Sequence, residues 1–117
     1  MEKKLERIVK ILDEKLAENI VALKIDELTV ISDYFVIANG TSATHIRSLA
    51  DELEEKLEKE DGIRPVAVEG RASGWILLDY GEVVVHLFTP DARVYYKLER
   101  LWADSANIDL SGLITER

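Results

Sequence analysis

Two short apolar segments, separated by only two residues, constrain the fold of this chain more than any other feature of its sequence. The segments are 75–80 and 83–88, and the residues between them are Gly81 and Glu82. A two-residue connection that begins with glycine is typical of a tight β-hairpin. The predicted register pairs Tyr80 with Val83, Leu78 with Val85 and Ile76 with Leu87. One face of this hairpin is then apolar apart from the tyrosine hydroxyl, and we expect it to lie in the core.

The opposite face of the hairpin mixes large aromatic side chains with an acid and an imidazole. Its members are Trp75, Leu77, Asp79, Val84, His86 and Phe88. This composition resembles an interface more than a core, although the pattern leaves open that a helix covers the face and that Asp79 and His86 are hydrogen-bonded inside. A lone histidine on a strand is more often a half-buried structural residue than a catalyst. Trp75 follows Ser73 and Gly74, which we expect to be flexible, so that the indole can be presented to a partner.

The rest of the chain alternates between helical and strand periodicity. The stripe of Leu5, Ile8, Val9, Leu12 and Leu16 predicts a helix over residues 2–18 that stops at Asn19, and 20–25 and 34–38 are strand-like. A second helix has the stripe Ile46, Leu49, Leu53 and Leu57 and ends near Gly62. After a short strand at 66–68 and the hairpin, Thr89 and Pro90 predict the start of a third helix, with the stripe Val94, Tyr95, Leu98, Leu101 and Trp102. The order is α-β-β-α-β-β-β-α, an α/β (α+β) fold in one domain over 1–105, and the tail at 106–117 either docks or frays.

Composition excludes several classes of function. The chain has 117 residues, no cysteine and only two histidines, so disulfides, thiolate catalysis and cysteine-based metal sites are ruled out. Its formal charge of −8 argues against free nucleic acid as the main ligand and suits a basic protein partner. The N-terminal residues lead straight into an amphipathic pattern without an apolar leader or membrane segment, so we expect a cytoplasmic protein. We predict no catalytic residue, metal or cofactor.

The junction at residues 39–42 is the strongest alternative site in the sequence. Asn39, Gly40, Thr41 and Ser42 connect a predicted strand to a predicted helix, where backbone N–H groups can hold phosphate. The junction lacks the lysine of a P-loop and the glycine spacing of a dinucleotide site, which favours simple helix capping. A nucleotidyltransferase would also need paired carboxylates for magnesium, and the next predicted strand has no Asp-x-Asp. A nucleotide-binding enzyme therefore remains the rival interpretation, and a homodimeric scaffold is a third.

Three blocks of the sequence together resemble the ribosomal silencing factor family, also called iojap-like. The blocks are 32–42, Glu69-Gly70 with 74–88, and 93–102. The resemblance covers about residues 2–105 and leaves out the tail. It implies a nucleotidyltransferase-like fold without the catalytic carboxylates, in which helices flank a mixed sheet. It also implies binding to the large ribosomal subunit at its protein fourteen, so that the small subunit cannot join and translation is repressed when nutrients are short. Family members tend to form homodimers in solution.

The resemblance also suggests which residues contact the partner. Trp75, Asp79 and Tyr80 match the hairpin motif of the family, and Tyr96, Glu99 and Arg100 match its helix motif. These six form the predicted partner-binding set, in which Trp75, Asp79 and Tyr96 are the strongest candidates. Leu98, Leu101 and Trp102 are expected to pack. Arg93 and Arg100, which point away from the predicted buried stripe, are further candidate contacts.

Overall fold

The structure is a computed structural model that describes residues 2–26, 32–97, 100 and 106–115. The elements are α1 (Lys3–Glu14), β1 (Glu18–Lys24), β2 (Tyr34–Asn39), α2 (Ala43–Asp61), β3 (Ala67–Glu69), β4 (Trp75–Asp79), β5 (Val83–Phe88), α3 (Pro90–Tyr96) and β6 (Ala106–Asn107). The predicted α+β fold and its element order are confirmed. The structure adds one strand, β6, in the segment that we assigned to the tail.

The strands form a single mixed sheet in the order β3-β4-β5-β2-β1-β6. Strands β2 and β5 are parallel, and the other neighbouring strands are antiparallel. The hairpin of β4 and β5 has the predicted register, since Ile76 lies opposite Leu87 and Leu78 opposite Val85. The N–H of Tyr80 donates to the carbonyl of Val83 at 2.9 Å, which closes the two-residue turn at Gly81 and Glu82.

The two faces of the sheet carry separate apolar clusters. Helices α1 and α2 cover one face and form the larger core with the predicted inner face of the hairpin: Ile76, Leu78, Tyr80, Val83, Val85 and Leu87. The second cluster lies on the opposite face, where Ala92 of α3 packs against it: Leu23, Ile25, Phe35, Ile37, Val84 and Phe88. The mixed sheet is therefore flanked by helices, as predicted, and the structure places helices on both of its faces.

Helix α1 ends four residues earlier than its apolar stripe predicts. Leu16 has a left-handed backbone, with φ at 66°, and its N–H donates to the carbonyl of Asp13 while the N–H of Ala17 donates to Leu12. These two bonds form a Schellman motif, a common way to satisfy the last carbonyls of a helix. Leu16 is 60% exposed, so its assignment to the buried stripe was wrong. The end of α1 could not be predicted from the sequence, because a glycine usually occupies the left-handed position and this chain has Leu16 there.

The other helix boundaries follow the capping signals in the sequence. The hydroxyl of Ser42 accepts from the N–H of His45 at the start of α2, and Gly62 ends that helix with φ at 69°. Thr89 caps α3 and Pro90 occupies its first turn, as predicted. Val94 was placed in the buried stripe of α3 but is 68% exposed, so that assignment was wrong. Leu98, Leu101 and Trp102, together with the side chain of Tyr95, lie outside the described residues.

The described part of the tail packs on the domain. Strand β6 pairs with β1, and the N–H of Ile108 donates to the carbonyl of Ala22 at 2.9 Å. Further along, the carboxylate of Asp13 accepts the N–H of Thr115 at 3.0 Å and its hydroxyl at 3.0 Å. Asp13 is buried, so these bonds satisfy a charge that would otherwise be costly to bury. None of the helices in the described residues is long and apolar enough to span a membrane.

Candidate functional site

On the second face of the hairpin, the side chains of β5 are buried and those of β4 are half-buried. On β5, Val84, His86 and Phe88 are 6%, 3% and 0% exposed, respectively. On β4, Trp75, Leu77 and Asp79 are each half-buried. For β5 the structure therefore supports the alternative that the pattern left open, a covered face: Val84 and Phe88 belong to the second apolar cluster, and His86 is buried beside them. The half-exposed side chains of β4, here called the β4 stripe, remain accessible to a partner.

Four rings form an aromatic cluster that includes Trp75 of the β4 stripe. The other three are Phe35 of β2 and His86 and Phe88 of β5. The Phe35 and His86 rings meet edge to face, with centroids 4.6 Å apart. The indole of Trp75 lies 5.1 Å from Phe88 and 5.8 Å from His86. Offset and edge-on contacts at these distances are favourable beyond the burial of apolar area. Three neighbouring strands thus support the half-exposed indole.

A hydrogen bond joins Trp75 to His86 inside this cluster. The indole Nε1–H donates to Nδ1 of His86 at 3.1 Å. Because the indole nitrogen can only donate, Nδ1 must accept, and a neutral His86 then carries its proton on Nε2. Burial lowers the pKa of His86 to about 4, so the ring is neutral at physiological pH. Within the described part of the chain, the buried Nε2 has no hydrogen-bond partner.

The segment that leads into β4 is an ordered turn and not the flexible connection that we expected. The hydroxyl oxygen of Ser73 lies 2.9 Å from the carbonyls of both Gly70 and Trp75, which share its one proton. The N–H of Thr89 donates to the carbonyl of Gly74 at 3.0 Å, which ties the turn to the start of α3. A Cβ on Gly74 would lie 2.9 Å from the hydroxyl oxygen of Thr89, so no larger residue fits without a shift. Trp75 is therefore held at a fixed position.

The other end of the β4 stripe is also fixed. The carboxylate of Asp79 accepts the N–H of Gly81 at 2.8 Å, an arrangement typical of turns. Ser32 donates its hydroxyl to the carbonyl of Glu82 at 2.7 Å, and Lys4 of α1 donates to the carbonyl of Tyr80 at 3.1 Å. A stripe that is supported at both ends loses little conformational entropy when a partner binds.

Tyr80 lies in the core and not on the surface. Its side chain is 3% exposed and packs in the larger apolar cluster. Burial raises the pKa of its hydroxyl to about 12, and no described residue offers the hydroxyl a hydrogen-bond partner. Direct contact between this side chain and a partner would require the core to open. We therefore do not include Tyr80 in the surface that contacts a partner. Its side chain packs in the core under the hairpin turn.

The predicted contacts on the third helix fall at the edge of the described structure. Tyr96 is the last residue of α3, but its side chain is not described, and Glu99 lies outside the described residues. Arg100 is exposed. Arg93 is partly buried, and its guanidinium donates to the carbonyl of Asn19 at 2.6 Å and to the side-chain oxygen of Asn39 at 2.9 Å. Part of the guanidinium is thus used within the chain, and a contact of Arg93 with a partner stays a prediction.

The junction at residues 39–42 is filled by a side chain of the protein itself. Nδ1 of His45 accepts the N–H of Thr41 at 2.8 Å, and its Nε2 lies 3.0 Å from the carbonyl of Lys15. The N–H of Gly40 donates to the carbonyl of Phe88. The N–H groups of Gly40, Thr41 and His45 are thus used within the chain, which favours the capping interpretation. His45 instead connects the end of α1 to the start of α2.

No group of three or more histidine and acidic side chains that could hold a metal ion is found within residues 2–26, 32–97, 100 and 106–115. The structure does show polar contacts that sequence reasoning missed, namely those of Asp13 with Thr115 and of Arg93 with Asn39. Both join residues more than fifty positions apart. Spacing along the chain carries no signal for such pairs.

Comparisons with known proteins agree over most of the chain. The family model described as "Ribosomal silencing factor during starvation" matches residues 1–117, including the tail. A protein named ribosomal silencing factor RsfS from Halalkalibacterium halodurans is 40% identical over 112 residues, which cover 95% of each chain. A mouse protein named "Mitochondrial assembly of ribosomal large subunit protein 1" is 33% identical over 102 residues, which cover 84% of this chain and 44% of the mouse protein.

Solved structures support the same relationship. A crystal structure of a protein from Chromobacterium violaceum is 33% identical, with a TM-score of 0.82 and coverage of 88% of both chains. A crystal structure from Bacillus halodurans is 38% identical, with a TM-score of 0.78 and coverage of 91% of this chain and 96% of the other. The family name refers to regulation of ribosomes and not to an enzymatic activity. The agreement in sequence and fold leads to one conclusion: this chain belongs to the ribosomal silencing factor family.

Proposed function

We propose that this protein binds the large ribosomal subunit at ribosomal protein fourteen, uL14, and sterically prevents the small subunit from joining. Translation is thereby repressed when nutrients are limiting, and the protein acts in the cytoplasm. The observation that carries the proposal is family membership over the whole chain, together with a relative named for assembly of the ribosomal large subunit. The mechanism requires no bond to be made or broken. Its effect depends only on the fraction of large subunits that carry the protein.

Electrostatics supports a basic protein as the partner. The formal charge of this chain is −8, and a positively charged surface on the ribosome would be attracted to it. Complementary charge mainly raises the association rate and weakens as salt screens it. Free nucleic acid, which requires a basic footprint, fits this charge poorly. We therefore expect contact with ribosomal protein and an association rate that falls as salt is added.

The β4 stripe supplies the contact surface in this proposal. It combines a half-exposed indole at Trp75, an aliphatic side chain at Leu77 and a carboxylate at Asp79 on one face of a strand. Trp75 and Asp79 are four residues apart on an extended strand, a separation of about 13 Å. Large aromatic side chains are frequent hot spots in protein interfaces. Tyr96, the last residue of α3, and Glu99 and Arg100, which follow it in the sequence, complete the proposed contact set.

A comparison of two truncations tests the contact surface. We expect Trp75→Ala to weaken binding to purified large subunits by about 2 kcal/mol or more, roughly thirtyfold in affinity, because it removes the central aromatic contact. Leu16→Ala is the matched control, since Leu16 is also apolar and is 60% exposed but lies in the connection between α1 and β1. Binding can be measured by co-sedimentation. Equal affinities of the two variants would contradict the assignment of the β4 stripe to the interface.

The same variants separate ribosome binding from self-association. We propose that the free protein is a homodimer, and sedimentation velocity measures this directly. If Trp75→Ala loses dimerisation while its affinity for the large subunit is unchanged, the role of Trp75 lies in the dimer, and the scaffold interpretation gains support. If affinity falls and the oligomeric state is unchanged, the indole belongs to the ribosome contact.

A further inference from the structure

His86 is an unusual residue for its surroundings. It is 3% exposed, and its neighbours on the same face of the sheet are apolar: Phe35, Val84 and Phe88. An aliphatic or phenyl side chain would bury as well there without desolvating a polar ring. Among the residues that the structure describes, the buried Nε2 atom of His86 has no partner, so this polar group is unsatisfied there. A buried polar group that costs stability calls for a physical explanation.

The one hydrogen bond of the His86 side chain in the described structure goes to the residue that we propose as the main contact. Nδ1 accepts the indole Nε1–H of Trp75 at 3.1 Å. The bond crosses from the buried strand β5 to the half-buried strand β4, while a tilted ring contact with Phe88 restrains the same indole. A hydrogen bond is directional, whereas packing against a flat ring is not. The bond to His86 therefore fixes how the indole is rotated within its own plane.

We propose that His86 is a positioning residue that holds the indole of Trp75 in its binding orientation and keeps the indole N–H turned inward. This inference rests on the proposed function, because it assigns the purpose of the bond to partner binding. One consequence concerns the chemistry of recognition. Since Nε1–H is already used inside the protein, the partner meets the carbon surface of the indole and receives no hydrogen bond from it. Apolar side chains or the aliphatic stems of basic ones suit such a surface.

Two substitutions of His86 separate orientation from packing. His86→Leu keeps an apolar side chain of similar size and removes the acceptor. His86→Asn places an amide oxygen near the position of Nδ1 and can restore the bond to Trp75. We expect His86→Leu to fold with undiminished resistance to urea, because it removes an unsatisfied buried group. Its affinity for purified large subunits should nevertheless fall about tenfold, and His86→Asn should recover part of that loss.

A spectroscopic measurement on the free protein tests the bond without the ribosome. In the NMR spectrum the indole N–H resonance of Trp75, identified by its loss in Trp75→Phe, should move and exchange faster with solvent in His86→Leu than in the wild type. In His86→Asn it should return towards the wild-type position. An unchanged resonance in His86→Leu would overturn the proposal whatever the binding data show.

The binding data distinguish failure of this inference from failure of the proposed function. If His86→Leu binds the large subunit as tightly as the wild type while Trp75→Ala binds weakly, the proposed function survives and the positioning role is wrong. If the wild type does not bind the large subunit, the proposed function fails, and with it the purpose assigned here to the bond. A tenfold loss in His86→Leu with partial recovery in His86→Asn supports both.

Discussion

The buried histidine predicts how this protein loses stability in acid. The pKa of His86 is about 4 in the folded state, whereas an unperturbed histidine has a pKa of 6.5. Because the folded pKa is the lower one, the unfolded chain takes up a proton first as the pH falls. The stability associated with the neutral ring is complete above about pH 6.5 and is lost progressively as the pH falls towards 4. At pH 4.5 the side chain of His86 is almost fully protonated in the unfolded state and mostly neutral in the folded state. The free energy of unfolding is therefore lower by about 2 kcal/mol than at pH 7.

Urea unfolding at pH 7 and pH 4.5 measures this cost. Carboxylates that are paired in the folded state also lose stabilising interactions in acid, so the wild type alone does not isolate the histidine. His86→Leu provides the reference, because it retains every other titratable group, including His45. We expect the free energy of unfolding of the wild type to fall by about 2 kcal/mol more between the two pH values than that of His86→Leu. Equal losses in the two proteins would refute the burial of a neutral imidazole at this position.

Two further substitutions test contacts that hold the tail and the β4 stripe. Asp13→Ala removes the carboxylate that binds Thr115, so we expect it to lower the free energy of unfolding by about 1–3 kcal/mol and to speed proteolysis of the tail, whereas the exposed neighbour Glu14→Ala should change neither. Gly74→Ala forces a Cβ to within 2.9 Å of the hydroxyl oxygen of Thr89, so we expect a loss of about 1–2 kcal/mol in urea unfolding. Wild-type stability in either variant would show that the corresponding contact is not made in solution.

Local signals in the sequence predicted most of the framework. Ser42 and Thr89 mark helix starts because a side-chain oxygen next to an amphipathic pattern can accept orphan N–H groups, and both do so in the structure. Gly81 predicted the hairpin register because tight two-residue turns require a residue with positive φ. Gly81 has φ at 86° in the structure. These features depend on a few neighbouring residues, and a single sequence contains the information needed to find them.

The errors concern features that depend on distant parts of the chain. The end of α1 was missed because Leu16, not glycine, adopts the left-handed conformation there. The second face of the hairpin was interpreted as an interface because the pattern of β4 and β5 does not reveal that β2 lies beside β5 and contributes Phe35 to the same cluster. The bond between Arg93 and Asn39 was likewise not predicted, because the two residues are 54 positions apart.

The candidate site was predicted less completely than the fold. Trp75 and Asp79 were identified from the hairpin pattern and from the family resemblance, and both lie on the half-exposed face of β4. Tyr80 was placed in the same set although the alternation of the strand puts it on the opposite, buried face. The bond between Trp75 and His86 could not be predicted, because it depends on the rotamers of two side chains on different strands.

Subunit joining tests the central claim most directly. Purified large subunits are incubated with the protein, small subunits are then added, and light scattering records the formation of whole ribosomes. The account predicts that joining decreases as the protein is added, that the decrease follows the fraction of large subunits bound, and that prior incubation with small subunits alone has no effect. Undiminished joining at concentrations that saturate the large subunit would contradict the account, because a bound protein that leaves the subunit interface open cannot silence the ribosome by steric exclusion.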